Sequence, residues 1–122
     1  MKQQIDIKFG GKKRKFVFGV LLIGELLERN EFEDYSDLII KTAKNPFKYA
    51  PVIMFESLKS AYDMISKEYD FTEKDVKKWA NDDYFNNESK SIVSFVETFL
   101  GTNENKAQNE DVNDNENLPK KK

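Results

Sequence analysis

The sequence predicts an α+β fold: an N-terminal two-stranded β-hairpin, a small bundle of about four to five α-helices, and a disordered polar C-terminal tail. Three observations support this class. Apolar residues alternate around a Gly-Gly pair near the N-terminus, they recur every three or four residues from 20 to 100, and aromatic residues cease before Gly101. We therefore expect a hairpin-plus-helices domain over residues 1–100 and a disordered acidic, Asn-rich tail over residues 101–122.

The hairpin is predicted by alternation on both sides of Gly10-Gly11, in strands of about residues 3–9 and 12–18. The glycine pair supplies the positive φ angles that a two-residue turn needs, and such a turn places Ile5 opposite Phe16. The apolar face of this ribbon consists of Ile5, Ile7, Phe9, Phe16 and Phe18. Because an isolated two-stranded ribbon is marginally stable, we expect helices to cover that face.

Three helices are expected next, over about residues 20–30, 35–44 and 49–69. Asp34 is a candidate N-cap for the second helix, and Asn45-Pro46 is expected to end it. The third helix is the longest and is expected to form the centre of the core, with Pro51 in its first turn. The buried positions predicted for the second and third helices are Leu38, Ile39, Ala43, Val52, Phe55, Leu58, Ala61 or Tyr62, and Ile65.

Two more helices complete the predicted domain. Thr72 followed three residues later by Asp75 resembles a capping box, and we expect the helix behind it to end near residues 81–83. A last helix is predicted over about residues 88–100, with Gly101 as its stop. Beyond it, residues 102–117 contain six Asn and five acids, too little apolar surface to offset chain entropy.

The composition argues against an enzyme. The chain has no Cys and no His, which removes disulfides, thiolate zinc sites and the imidazole base of most acid–base catalysis. The sequence shows no phosphate-binding loop, dinucleotide fingerprint or Ser nucleophile elbow. Asp82-Asp83 and Glu33-Asp34 are neighbouring carboxylates without a third ligand nearby. We expect no catalytic residue, cofactor or metal site.

The N-terminal residues have no apolar core of signal-peptide length, and the longest apolar stretch, residues 16–23, is too short for a membrane span. We therefore expect a soluble protein without a membrane partner. The absence of Cys fits a reducing cytoplasm.

Charge divides the chain into a basic end and an acidic body. Residues 1–19 carry six basic residues against Asp6, whereas residues 20–100 carry 16 acids against 10 bases. The run Lys12-Lys13-Arg14-Lys15 has the composition of a nucleic-acid contact. The favoured alternative is a solvated hairpin tip whose lysines keep an edge strand from pairing with other chains.

The predicted last helix has a broader apolar arc than a surface helix needs, so it either packs centrally or offers a face to a partner. Packing on the long helix is the favoured alternative. The partner hypothesis selects Phe95, Phe99 and Leu100 as binding residues, with Trp79 behind them because Trp dominates interface hot spots. For Trp79, a place in the core is the favoured alternative.

The segments 5–12 (IDIKFGGK), 16–19 (FVFG) and 22–26 (LIGEL) resemble the start of tail assembly chaperones from long-tailed, siphovirus-type bacteriophages. Those proteins begin with a short basic hairpin and pass through an aromatic-Gly step into a helix. The segment 72–79 (TEKDVKKW), followed by Asp82-Asp83, is similar to the acidic D-(I/V)-x-x-W helix of the same family.

The resemblance spans residues 3–100 and implies a non-enzymatic role in virion morphogenesis. It implies a protein that binds the tape measure protein and keeps it soluble during tail assembly, in the host cell cytoplasm, and that is absent from the mature virion. The tail-tube protein and a homo-oligomer are further partners to consider. The four partner-binding residues above come from the apolar pattern and are not functional residues known for the family.

The family often makes a second product by programmed frameshift near the end of the first. Lys120-Lys121-Lys122 is compatible with a run of adenines, so a slippage site there is a hypothesis that the gene sequence can test. Two other function classes stay open: a small virion structural or connector protein, and, less favoured, a nucleic-acid-binding regulatory module.

Overall fold

The structure, a computed structural model, describes residues 4–111 and, within them, the side chains of residues 4–101. It confirms the predicted fold class, with an antiparallel β-hairpin followed by five helices. The elements are β1 (Gln4–Phe9), β2 (Lys12–Val17), α1 (Val20–Glu28), α2 (Tyr35–Lys44), α3 (Pro46–Met64), α4 (Glu73–Asn87) and α5 (Lys90–Asp111). The part of the predicted tail over residues 112–122 lies outside the described residues.

The hairpin has the predicted register. Phe9 lies opposite Lys12 and Ile5 opposite Phe16. Gly10 and Gly11 form the turn with φ angles of 65° and 87°, which residues with a side chain rarely adopt. The sequence alone therefore places every pair of this ribbon correctly, since turn length and alternation together fix the register.

The bounds of α2 are those predicted, and Asp34 caps it by accepting a hydrogen bond from the backbone N–H of Asp37. One buried position was predicted wrongly: Ala43 is exposed, and Thr42 is fully buried in its place. Thr42 tolerates burial because its hydroxyl donates to the carbonyl of Leu38, one turn earlier, at 2.8 Å.

The bounds predicted for the long helix are wrong at both ends. Helix α3 begins at Pro46, which occupies a first-turn position where its missing N–H costs nothing, so Pro51 lies inside the helix. The helix ends at Met64, and Ser66 takes a left-handed conformation with φ of 54°. Ile65, predicted to be buried, lies beyond the helix end and is 69% exposed.

The capping box of α4 is confirmed, because the Thr72 hydroxyl and the Asp75 carboxylate each accept the other residue's backbone N–H. The predicted end near residues 81–83 is wrong, since α4 continues to Asn87. Asp83 is buried, and its carboxylate accepts from the Asn87 side chain at 2.8 Å and from the backbone N–H of Ile92 at 3.1 Å. It therefore joins α4 to the first turn of α5.

Two left-handed residues, Glu88 and Ser89, separate α4 from α5. The last helix starts at Lys90 and continues through Gly101 to Asp111, so the prediction of Gly101 as a helix stop is wrong. A glycine lowers helix stability without ending a helix, and its Cβ position here meets no neighbouring atom.

The core lies where the hairpin face meets α5 and α3. Phe16 packs edge-on against Phe95 with ring centroids 5.3 Å apart, and Phe18 lies 5.6 Å from Phe95 and 6.0 Å from Phe99. The hydroxyl of Ser57 on α3 donates to the carbonyl of Val17, which ties the long helix to the end of β2. These contacts provide the helical cover that the ribbon was predicted to need.

A buried arginine links the hairpin to the helices. The Arg14 side chain is 4% exposed and donates to the carbonyl of Phe9 at 2.8 Å and to the hydroxyl of Tyr62 at 3.2 Å. It also forms an ion pair of 3.2 Å with Asp70, in the segment between α3 and α4. Its guanidinium carbon lies 4.3 Å from the centroid of the Trp79 ring. One side chain thus contacts four parts of the chain.

Asp70 is the acidic partner in this cluster. It accepts hydrogen bonds from Lys12 at 2.7 Å, from the Tyr62 hydroxyl at 2.9 Å and from Arg14. The hydrogen bond from Lys12, with those from Tyr62 and Arg14, holds the pKa of the Asp70 carboxyl well below its ordinary value, against the opposing effect of partial burial. The carboxylate is therefore favoured in the folded chain.

Replacing Arg14 by Ala is expected to lower the free energy of unfolding by about 3 kcal/mol, because it leaves buried acceptors unpaired and removes the stem that packs on Trp79. Urea denaturation measures this. Lys13→Ala is the matched control: Lys13 precedes Arg14 on the same strand, is exposed and should change stability by less than about 0.5 kcal/mol. Equal effects of the two substitutions would contradict a structural role for the buried guanidinium.

Asp70 should make stability depend on pH in the acid range. Because the pKa of this carboxyl is lower in the folded chain than in the unfolded chain, its ionised form stabilises the fold. The stabilisation is complete at pH values above the ordinary pKa of about 3.9, and it is lost as pH falls through the lower pKa of the folded chain. The unfolding free energy of the wild type minus that of Asp70→Asn should be constant above about pH 5 and shrink below about pH 4. Denaturation at a series of pH values tests this, and a difference independent of pH would contradict it.

Candidate partner-binding surfaces

The structure places two of the four predicted partner-binding residues in the core. Phe95 and Phe99 have no exposed surface and stack on each other with centroids 6.4 Å apart, beneath the hairpin. The proposal that they form an exposed face is therefore wrong for the folded chain. Most of the broad apolar arc of this helix is explained by its central position, since Ile92, Phe95, Val96 and Phe99 are buried against the hairpin and the other helices, while Val93 stays 40% exposed.

The other two predicted residues lie at the edge of the core. Leu100 is partly buried and packs against the core cluster. Trp79 is also partly buried, and its ring lies edge-on to Phe9 at a centroid distance of 5.8 Å. The face of the hairpin turn and the guanidinium of Arg14 occupy much of its remaining surface. The four residues do not form one surface.

Trp79 fits against the backbone of the turn so closely that Gly10 has no room for a side chain. A Cβ added to Gly10 would lie 2.5 Å from the indole ring, well inside van der Waals contact. Gly10 therefore has two reasons to be glycine, its positive φ and the tryptophan above it, whereas Gly11 has only the first.

A groove of about 690 Å³ lies beside Trp79, between the hairpin turn and the junction of α4 with α5. Its lining residues are Lys8, Phe9, Gly10, Gly11, Trp79, Asp82, Asp83, Asn86, Asn87 and Ser91. The Asp83 carboxylate is already used in capping α5, and the Ser91 hydroxyl donates to the carbonyl of Lys8. Within residues 4–101, no group of three or more carboxylates is arranged so that it could hold a metal ion.

The basic run of the hairpin is divided between two faces. Arg14 points into the core, and Lys12 is bound to Asp70. Lys13 and Lys15 remain on the outer face, where Lys13 lies opposite the exposed Lys8 and Lys15 opposite Asp6. The four consecutive cations therefore do not act as one surface patch.

Among residues 4–101, the most exposed large apolar side chains belong to α1. Val20 is 80% and Leu21 76% exposed at the start of this helix, while Leu22 and Leu26 on its opposite side are fully buried. Sequence reasoning missed this surface, although a signal existed. Six of the nine residues of α1 are Val, Leu or Ile, more than one buried face can hold.

The C-terminal end of α1 is fixed by an arginine surrounded by three carboxylates. Arg29 bonds to Glu31 at 2.8 Å, to the buried Glu56 of α3 at 2.7 Å and to Glu73 of α4 at 2.6 Å. Partial burial alone would lower the pKa of Arg29, but the hydrogen bonds to the three carboxylates outweigh it and hold the pKa above its ordinary value. The network sets the direction in which α1 presents its outer side.

A second exposed apolar site lies on α4. Tyr84 is 59% and Phe85 71% exposed, and their rings meet edge-on with centroids 5.0 Å apart. Unlike the α1 site, this pair lies on a helix whose other residues are largely polar and charged. Its exposed fractions are lower than those of Val20 and Leu21.

None of the helices described here is both long enough and apolar enough to cross a membrane. Comparison of the chain with protein-family models, with curated proteins and with solved structures finds no match.

The two glycines of the turn offer a matched test of the packing at Trp79. Gly10→Ala should destabilise by about 2 kcal/mol more than Gly11→Ala, because both introduce strain at positive φ but only the first collides with the indole. Trp79 is the single Trp of the chain, so its fluorescence should change in Gly10→Ala and stay unchanged in Gly11→Ala. The same stability and emission in both variants would contradict the close fit.

Proposed function

We propose that this protein is a non-enzymatic tail assembly chaperone of a long-tailed bacteriophage, which binds the tape measure protein and keeps it soluble. The sequence resemblance over residues 3–100 suggests the family. The hairpin, the Phe18-Gly19 step and the helix that follows agree in order with that resemblance. Absence from the finished virion and a frameshifted longer product belong to the same proposal.

The observation that carries the proposal is the apolar outer side of α1. A chaperone for a long helical protein must bury apolar side chains of its partner, which requires exposed apolar surface of its own. Val20 and Leu21 supply it on a helix whose opposite side is fixed in the core by Leu22 and Leu26. The surface is therefore preformed, and binding would cost little ordering of the chaperone.

A small apolar surface on each copy suits a long partner. One contact of this size is weak, but many copies along the same helix, or copies that also contact each other, gain affinity through effective concentration. Weak individual contacts also permit release when the tail is complete. The tail-tube protein is a further candidate partner, whose subunits the chaperone would help bring to the tape measure protein.

Co-expression with a tape measure protein tests the proposal. We expect the tape measure protein to be soluble and to co-elute with this chain in size-exclusion chromatography, and to precipitate without it. The double variant Val20→Gln/Leu21→Gln should fold normally, since both residues are exposed, and should lose most of this effect. Ile40→Gln on α2 is the matched control, because Ile40 is an exposed aliphatic residue on another helix.

A tape measure protein that is soluble alone, or that elutes separately from this chain, would contradict the chaperone role. Finding the protein in purified particles would favour the virion-component alternative. An affinity for nucleic acid that falls steeply between about 50 and 200 mM salt would favour the regulatory alternative.

A further inference from the structure

Nothing in the part of the chain that the structure describes explains the glycine at position 24. It lies in the interior of α1, where glycine is less favourable than alanine because it loses more backbone freedom on folding. Its φ is not positive, unlike those of Gly10, Gly11 and Gly19. Apart from its chain neighbours and the backbone of its own helix, a Cβ added at Gly24 would meet no atom within 4 Å, so no packing neighbour in the described structure requires the side chain to be absent.

The position of Gly24 on α1 suggests what it is for. Gly24 is exposed and follows Val20 by four residues and Leu21 by three, so the three residues share one side of the helix. Together they form an apolar outer face, in which the missing side chain of Gly24 leaves a gap one turn after Val20. A gap of this kind lets the backbone of another helix approach closely while Val20 and Leu21 pack on either side of it.

The rim of this outer face is acidic. Glu25 and Glu28 are exposed on the same helix, and neither forms an ion pair with any residue whose side chain is described. A partner with basic residues beside its apolar stripe fits this rim.

We infer that the outer face of α1, formed by Val20, Leu21 and Gly24, binds an amphipathic helix of the partner that crosses at Gly24 and carries Lys or Arg along its edges. The identity of the protein carrying that helix rests on the proposed function. The geometry and charge of the contact rest on α1 alone.

A second copy of this chain fits the face less well. Helix α1 has nine residues and is about 14 Å long, so a contact between two copies of α1 buries far less than the roughly 1,200 Å² of a stable interface. It would also supply no basic residue to meet Glu25 and Glu28. A long partner helix can bind many copies of this chain side by side, so the total buried area is large even though each single contact is small.

Two synthetic helical peptides of about 21 residues test the inference. They share one apolar stripe with Ala at its centre, and they differ in having Lys or Glu along both edges. Titrations with the full-length protein are followed by NMR. The Lys peptide should shift the signals of Val20, Leu21 and Glu25, and it should bind at least about tenfold more tightly than the Glu peptide at low salt.

Variants at Gly24 separate binding from stability. Gly24→Ala should raise the melting temperature by about 4 °C, because alanine favours the helix and meets no neighbour, yet it should weaken binding of the Lys peptide. Gly24→Leu should fold and lose binding by about tenfold or more, because its side chain fills the gap. Gly101→Ala is the control, since Gly101 is a second helical glycine without neighbours, and it should leave binding unchanged.

The inference is overturned if neither peptide binds at concentrations up to about 1 mM, if Gly24→Leu binds as the wild type does, or if the two peptides bind equally. Self-association of the wild type that Gly24→Leu abolishes would assign the outer face to a second copy instead. If the Gly24→Leu variant still keeps the tape measure protein soluble, the chaperone role is supported and the proposed contact at the outer face of α1 is contradicted. If the Lys peptide binds at Gly24 but the tape measure protein precipitates, the contact stands and the chaperone role falls.

Discussion

The buried guanidinium of Arg14 is the interaction on which the rest of the structure depends. A charge removed from water is tolerated only when its donors are used, and Arg14 uses them on partners from separate parts of the chain. The hairpin supplies a carbonyl, α3 supplies Tyr62, and the segment before α4 supplies Asp70. None of these groups satisfies the charge by itself, so the hairpin is held in place only when the helices are packed. This couples a marginal two-stranded ribbon to a helical core.

The same constraint explains the charge pattern of the hairpin. In a strand, successive side chains point to opposite faces, so a run of four cations cannot form a single patch. The alternation sends Arg14 into the core and leaves Lys13 and Lys15 outside, and Lys12 reaches Asp70 from the edge. Arginine suits the buried position better than lysine, because its planar group can bond several acceptors while packing on the Trp79 ring. A basic run in a strand is therefore weak support for a nucleic-acid site.

The parts of the fold that could be predicted from sequence are those set by neighbours along the chain. The Gly-Gly turn fixes the hairpin register, Asp34 caps α2, and Thr72 with Asp75 caps α4, and each depends on residues within a few positions of one another. The end of α4 depends instead on Asp83 meeting the first turn of α5, and the burial of Phe95 depends on the hairpin folding back over it. Periodicity could show that the last helix was apolar, but not which of its sides would be covered.

The apolar outer side of α1 was not predicted from the sequence, because the pattern of apolar residues does not show which side of a helix the rest of the fold covers. The way α1 is anchored explains how such an exposed apolar side is compatible with a stable fold. Leu22 and Leu26 anchor the inner side of this helix, and Arg29 fixes its end to Glu56 and Glu73. Nothing in the described structure depends on its outer side, so Val20, Leu21 and Gly24 contribute little to holding the fold together. A helix that is anchored on one side and apolar on the other has more hydrophobic surface than its own fold uses. The excess, with a glycine that the fold does not need, is therefore better explained by a contact outside the chain than by packing within it.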